Sequence, residues 1–325
     1  MSAIAMATTD LADTYIHAAV HWRVEPPFAI DAADLDQQIT LSGQLAGRQL
    51  AETMARTGFD AEALVVSSTV MTAAITMSAA GEARFFDAIE QVCGLRPQAI
   101  VNAYMCTGWG YALRHFLRHT DVKRVAIAIV DLDPHNLAWQ RRHPVIGASG
   151  FGVTTLLATL PSDRSREPQC SGPHPNSAFN DFVMALKAHH GRHGAQPTFI
   201  PFTQGALATT AERVLAKTQL GPNRNAEYGH CFGADPWIGL IEWFEAQPPQ
   251  SACSVVAGGI AYNGYYSFAP VVVDAQTCVG FRRLGGDVAS LERAIGAPAD
   301  EPLIDSRAAR PHSPRQLPLE LQSHA

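Results

Sequence analysis

Apolar positions recur at helical spacing in "GQLAGRQLAETMART" (43–57), where Leu45, Leu50 and Met54 share a face. The chain then enters "EALVVSSTV" (62–70), a β-branched run that predicts a buried strand. The alternation continues with a helix over "ARFFDAIEQVCG" (83–94) and a strand over "QAIVNAYM" (98–105). A helix from Cys106 to about Thr120 precedes the strands "KRVAIAIVDL" (123–132) and, past a glycine-rich turn, "GVTTLLATL" (152–160). Strands that are apolar throughout and alternate with helices imply an α/β protein whose sheets are covered on both faces.

The polar stretch "PSDRSREPQCSGPHPNS" (161–177) breaks this pattern and reads as a boundary between halves. The pattern restarts with a helix near 178–190, a strand-like "PTFIPF" (197–202) and the helix "ALATTAERVLAKT" (206–218). Beyond "YGHCFGADPWIGLIEWFEA" come the strands "CSVVAGGIAY" (253–262) and "SFAPVVVDA" (267–275). The expected division is a first half over 1–160, a second over 178–296, and a Pro- and charge-rich tail over 297–325 that predicts disorder. In each half a glycine-containing turn opens a helix beside a reactive type of side chain, Cys106 in the first and His230 in the second.

Composition narrows the function classes. With 325 residues, 47% of them hydrophobic, the chain can bury a large core. A formal charge of −6 argues against a general nucleic-acid-binding surface, which needs a basic excess. Asp10 and Asp13 interrupt the start before a signal-type apolar run forms, and no stretch reaches the roughly 18 apolar residues of a membrane span. A cytoplasmic protein without membrane contact is expected. Cysteines 93, 106, 170, 231, 253 and 278 contain no CxxC pair, so neither a zinc knuckle nor a disulfide framework is predicted. "HHGRH" (189–193) and the His115/His119 pair lack an acidic or cysteine partner nearby and read as solvated faces, so no metal site is expected.

Cys106 stands where an apolar strand meets a helix start. Unpaired backbone N–H groups and the helix dipole favour negative charge there, and hence a thiolate. The alternative is a small thiol that simply packs at a strand end. Its neighbours carry a resemblance. "NAYMCTGWGYAL" (102–113) resembles the nucleophile segment of ketosynthase-III-like enzymes of the thiolase superfamily. Cys106, Gly108, Trp109, Tyr111, Ala112 and Leu113 fall in register, while Tyr104 and Met105 replace the usual small pair. "VVSSTV" is similar to a family strand ending in a Ser/Thr turn, and "IGASGFGVTTLLAT" to its Gly-Asp-Gly-Ala-Gly entry, with Ser149 in place of the Asp. "VVAGGIAYNGYYSFAPVVV" resembles the loop that donates an oxyanion-hole N–H, with Gly264 as the implied donor. The resemblance spans about residues 43–285. It implies a thiolase-like fold, two similar βαβ-rich halves forming a five-layer αβαβα sandwich, and a homodimer.

The departures from the family are as informative. Its condensing members pair the cysteine with a His in a Val-Pro-His-Gln-Ala-Asn segment and with a later Asn. The first segment corresponds to "IPFTQGA", where Phe202 or Thr203 replaces the His, and the Asn position holds His230. Gly229-His230 followed by Asp235 resembles the acyltransferase and starter-unit branch found in polyketide and glycosylated-antibiotic pathways. That branch implies a Cys106-His230-Asp235 triad. Alternatively Asp235 only N-caps the helix beginning at Pro236, and His230 is a hydrogen-bonded core residue. The implied activity moves an acyl group from a coenzyme A or acyl carrier protein thioester, through acyl-Cys106, to an O, N or S acceptor, with no permanently bound cofactor. Condensation by His230 in both missing roles, or a silent partner subunit, are the competing readings. Arg114, Arg118, Lys123 and Arg124 form a basic cluster on which a carrier protein or coenzyme A phosphates could dock, unless it is only a solvated face.

Overall fold

The computed structural model describes residues 13–25, 35–133, 142–143, 146–164, 167–174 and 176–297, so the predicted tail lies outside it from residue 298 on. In chain order the first half contains β1 (Thr14–Glu25), α1 (Leu35–Thr57), β2 (Ala63–Ser67), α2 (Met71–Met77) and α3 (Gly81–Cys93). It continues with β3 (Ile100–Val101), α4 (Gly108–His119), β4 (Arg124–Asp131), a small hairpin of β5 (Arg142–His143) and β6 (Gly147–Ala148), and β7 (Phe151–Thr159). Then follow β8 (Gln169–Cys170), α5 (Ala178–His193), β9 (Thr198–Phe199), α6 (Gly205–Leu215), α7 (Asp235–Ala246), β10 (Cys253–Ile260), β11 (Tyr266–Val273), β12 (Cys278–Gly285) and α8 (Val288–Gly296).

The strands run in the order β3-β2-β4-β7-β1-β11-β10-β9. β1 joins the two halves, with Thr14 and Tyr15 pairing Val271 and Val272 of β11. Alternation along the strands then separates the core into layers. Val125, Ile127 and Ile129 of β4 face Trp109 and Leu113 of α4 and Ile238 and Ile241 of α7. Ala126, Ala128 and Val130 face the other way, toward Leu45 and Leu50 of α1 and Phe85 and Ile89 of α3. In the second half Val255 and Ala257 of β10 turn to the same central helices, whereas Val256 packs with Phe182 and Leu186 of α5 and Ala211 of α6. The layers are therefore α1 and α3, sheet, α4 and α7, sheet, α5 and α6: the five-layer αβαβα arrangement. Helices α4 and α7 are covered on both sides, and Trp109 meets Trp237 edge-on between them, centroids 4.9 Å apart. Each large apolar side chain buried in that middle layer contributes roughly 1.5–3 kcal/mol.

Several elements differ from the sequence pattern. The 98–105 run shortens to the two residues of β3, because the chain turns at Asn102–Tyr104 to deliver Cys106. Residues beyond the predicted strand at 62–70 coil into α2. β1, β12 and α8 carried no prediction. β12 and α8, from the C-terminal part of the chain, return to the first half, where β12 runs parallel to β1 from Ala18 to Glu25 and α8 packs on α1. His189 and His190 are not solvated as expected. Both are buried, His190 Nε2 lying 2.9 Å from Thr198 Oγ1 and His189 Nε2 3.3 Å from Gln196 Oε1.

Candidate active site

Cys106 is placed by a strained turn. Met105 has φ 46°, a left-handed conformation that costs a non-glycine residue about 1–3 kcal/mol. Local bonds hold it there: the Met105 N–H donates to Asn102 O (3.0 Å), Thr107 Oγ1 to Tyr104 O (2.7 Å) and Asn263 Nδ2 to Ala103 O (2.9 Å). A 3-10 turn, Met105–Thr107, then feeds directly into α4. Close approach at this point requires glycine. A Cβ on Gly108 would sit 2.6 Å from Ser67 Oγ, and one on Gly259 3.0 Å from Cys106 O.

His230 reaches the thiol from the second half. Its N–H donates to Ala148 O (2.8 Å) and its carbonyl accepts from Gly150 N–H (2.9 Å), so the "GASG" turn grips its backbone from both sides. Gly229 has φ 73°, and a Cβ there would lie 2.4 Å from Ala148 O. The ring is thereby aimed with Nε2 3.7 Å from Cys106 Sγ and Nδ1 2.5 Å from Asp235 Oδ2. The second contact is close but bent away from the N–H axis, an ion pair more than a linear hydrogen bond.

Asp235 is fully buried at the start of α7, with Pro236 in the first turn. It does not cap that helix. Its Oδ1 accepts from Cys231 N–H (2.6 Å) and its Oδ2 from Phe202 N–H (2.9 Å), which lock the carboxylate toward His230. Burial disfavours a charged His230, yet the Asp235 charge outweighs it, with Cys106 adding to it, and holds the imidazole well above its ordinary pKa. Burial, with Asp235 adding to it, pushes the neighbouring Cys231 thiol the other way from reactivity, well up.

A cavity of about 440 Å³ opens onto Cys106 and His230. Met105, Phe179, Phe202, Leu207, Phe232 and Ile260 give it apolar walls, and Thr69, Ser149 and Thr203 add hydroxyls. Thus Phe202 and Thr203, at the position of the family's histidine, do line the site. Gly264 is not brought into this group. Its N–H donates to Ala261 O (3.0 Å), closing a turn at the cavity rim, and it does not line the cavity. The basic cluster is largely neutralised: Arg118 Nε pairs with Glu167 at 2.6 Å, and Arg124 with Asp60 (3.0 Å) and Glu62 (3.3 Å). Among the described residues no group of His, Cys, Asp and Glu side chains is arranged to hold a metal ion.

Two residues escaped sequence reasoning. Thr69 Oγ1 donates to Cys106 Sγ at 3.5 Å. Asp131, at the end of β4, accepts through Oδ1 from the N–H groups of Thr69 (2.6 Å) and Val70 (3.1 Å) and from Ser68 Oγ (3.4 Å). Burial raises its carboxyl to about 6, against the pull of the Thr69, Val70 and Gly233 backbone and of His230. No sequence pattern pointed to them: they meet because β2 pairs in parallel with β4, which puts their C-terminal ends side by side.

No protein-family model and no curated protein matches the sequence. Solved structures do share the architecture. The 3-oxoacyl-(acyl-carrier protein) synthase from Burkholderia xenovorans LB400 matches with a TM-score of 0.59 at 14% identity, over 84% of this chain and 97% of its own. The acyltransferase ChlB3 matches at 0.58 and 12% identity, over 82% and 99%. The peroxisomal 3-ketoacyl-CoA thiolase of Saccharomyces cerevisiae, a five-layered structure built from two core domains, matches at 0.55 and 13% identity, over 79% and 97%. The chain has the thiolase fold. In this thiolase fold the Gly229 turn sets where the imidazole sits, which makes a prediction. Gly229→Ala should destabilise the protein by about 1–3 kcal/mol through the clash and the positive φ, read as a lowered thermal midpoint. An unchanged midpoint would show that the turn relaxes freely.

Proposed function

We propose that the protein is an acyltransferase working through an acyl-Cys106 intermediate. The observation that carries this reading is the line of Cys106 Sγ, His230 Nε2 and Asp235 Oδ2, with contacts of 3.7 and 2.5 Å, at the floor of an apolar cavity. His230, kept protonated by Asp235, pairs with the Cys106 thiolate. The thiolate attacks the carbonyl carbon of a coenzyme A or carrier-protein thioester. The oxyanion develops beside the backbone N–H of Cys106, since those of Thr107 and Gly108 are already given to Tyr104 O and Met105 O. As the carbon–sulfur bond to the donor breaks, the imidazolium gives its proton to the departing thiolate. Neutral His230 then takes the proton of the acceptor hydroxyl, amine or thiol as that group attacks acyl-Cys106, and the Cys106 thiolate leaves. The resting pair is restored. No helix of the described residues is long and apolar enough to cross a membrane. A homodimer belongs to the same reading.

Phe202 and Thr203 supply no imidazole at the position of the family's histidine. The cavity's second imidazole, His143, comes from β5 and packs edge-on against Tyr262 at 5.0 Å. This departure from the condensing pattern favours transfer over carbon–carbon bond formation. Intact-mass analysis after incubation with a panel of acyl-CoA and acyl-carrier thioesters tests this. Acyl mass should appear on the protein and disappear when an O, N or S acceptor is added. Carbon dioxide release from a malonyl donor, with a condensed product, would overturn transfer in favour of condensation. No acyl mass from any donor would leave the silent-subunit reading standing.

A further inference from the structure

We propose that Asp131 and Thr69 act as a positioning pair for the nucleophile: Asp131 pins the turn after β2, and the Thr69 hydroxyl held there donates a hydrogen bond to the Cys106 sulfur. The inference rests on Cys106 being the reactive thiol. Its geometry is two-sided. The Asp131 carboxylate takes the backbone N–H of Thr69 at 2.6 Å, while the hydroxyl of the same residue reaches the sulfur at 3.5 Å. The first bond fixes the backbone of Thr69, and the β-branched side chain, stiff at χ1, then brings its hydroxyl to the sulfur in one rotamer.

The arrangement exceeds what the start of α2 needs. Ser68 Oγ already accepts the N–H of Met71 at 3.0 Å, the bond an ordinary helix start would use. Asp131 instead occupies a fully buried position, and its Oδ2 has no well-aligned hydrogen-bond partner. Burying a carboxylate with one oxygen poorly paired costs stability that packing alone does not offset. What it serves lies one residue away, at the sulfur.

Cys106 Sγ therefore stands between two donors, the Thr69 hydroxyl from the turn after β2 and His230 Nε2 from the turn before α7. The ionisable groups around it are His230, with Asp235 behind it, Asp131, which acts through Thr69, and His143, which lines the same cavity. A hydroxyl bonded to an anion is worth roughly twice one bonded to a neutral group. The Thr69 bond thus favours the thiolate over the thiol, and it strengthens again whenever the sulfur is a leaving group.

The test is the rate of Cys106 carboxamidomethylation by iodoacetamide, followed by intact mass over a pH series, with Cys106→Ala as the blank for the other thiols. Thr69→Val keeps the shape and removes the donor; it should slow alkylation about tenfold at neutral pH and reduce the thiolate ultraviolet absorbance. Thr69→Ser should restore most of both. Asp131→Asn should slow the reaction too, and combining it with Thr69→Val should add little, since both act through one hydroxyl. An unchanged rate in Thr69→Val, no recovery in Thr69→Ser, or full additivity in the double variant would each overturn the proposal. If Asp131→Asn does not fold, the valine and serine variants decide it alone. Alkylation needs no acyl donor. A slowed Thr69→Val in a protein that never acquires acyl mass would keep the positioning pair and remove the acyltransferase.

Discussion

Replacing Cys106 with alanine is expected to abolish acyl-enzyme formation and to lower transfer by at least ~10⁴-fold. The size follows from the absence of a stand-in. Cys231 is next in sequence to His230, but it is buried, and burial and Asp235 push its thiol well up. Burial also raises the thiols of Cys93, Cys170, Cys253 and Cys278, and none of these lines the cavity. Apart from the His143 ring, the remaining wall is hydrocarbon and hydroxyl. Thr69, Ser149 and Thr203 are weak nucleophiles without a base aligned to them, since His230 Nε2 faces the sulfur. The fold should tolerate the change, because one sulfur is lost at the edge of an existing cavity and the small residue suits the turn. A thermal midpoint close to wild type, with no acyl mass from any donor, is the expected pair of results. Acyl mass that persists in Cys106→Ala would place the nucleophile elsewhere and remove the central claim.

How far the sequence foretold this site can be judged residue by residue. Cys106 was legible because its glycines and aromatics form a local pattern, and the spacing of His230 and Asp235 was legible for the same reason. The structure adds what no local pattern carries. That Asp235 turns inward, and does not cap α7, depends on Cys231 and Phe202 presenting their N–H groups to it. That the Gly264 N–H is spent on Ala261 depends on how the 261–265 turn closes. Asp131 meets Thr69 only because β2 and β4 are neighbours. The fold shows the same division. The apolar strands β4, β7, β10 and β11 announce themselves, whereas β1, a central strand, does not. Its "TYIHAAVHWRVE" is interrupted by His17, His21 and Arg23. Those side chains find partners across the sheet or beyond it: His17 Nε2 lies 2.8 Å from Thr159 Oγ1, His21 Nδ1 2.8 Å from Thr154 Oγ1, and Arg23 Nη1 donates to Tyr228 O at 2.8 Å. Similarly β12 carries Arg282 and Arg283, the first stacked over Trp22 at 5.3 Å and the second paired with Glu25. Polar residues hide a buried strand whenever their partners are distant in sequence.

Asp235→Asn is expected to lower transfer by roughly 10³- to 10⁴-fold and also to weaken the fold, and the two effects separate by pH. The carboxylate serves three neighbours at once: the His230 ring and two backbone N–H groups, from Cys231 and Phe202. An asparagine has one acceptor oxygen. Whichever way its amide turns, one buried N–H group faces an NH₂, at a cost of about 1–3 kcal/mol that does not depend on pH. The charge effect does depend on it. Asp235 holds His230 well above its unfolded value near 6.5, against the pull of burial. A histidine raised in this way contributes stability that is fully present below the unfolded pKa and is lost as pH rises through the folded one. The stability gap between wild type and Asp235→Asn should therefore be wide below about pH 6.5, where wild type keeps the full contribution and the variant's buried His230 resists charging, and shrink toward the constant hydrogen-bond cost at alkaline pH. Denaturant melts of both proteins across that range measure it. Transfer behaves differently. Without the carboxylate, buried His230 tends to the neutral form, and the Cys106 thiolate loses its counter-charge, so alkylation and acylation should both slow most strongly at neutral and acidic pH. A gap that stays constant with pH would mean that Asp235 is only a backbone anchor, and the proposed triad would reduce to Cys106 and His230.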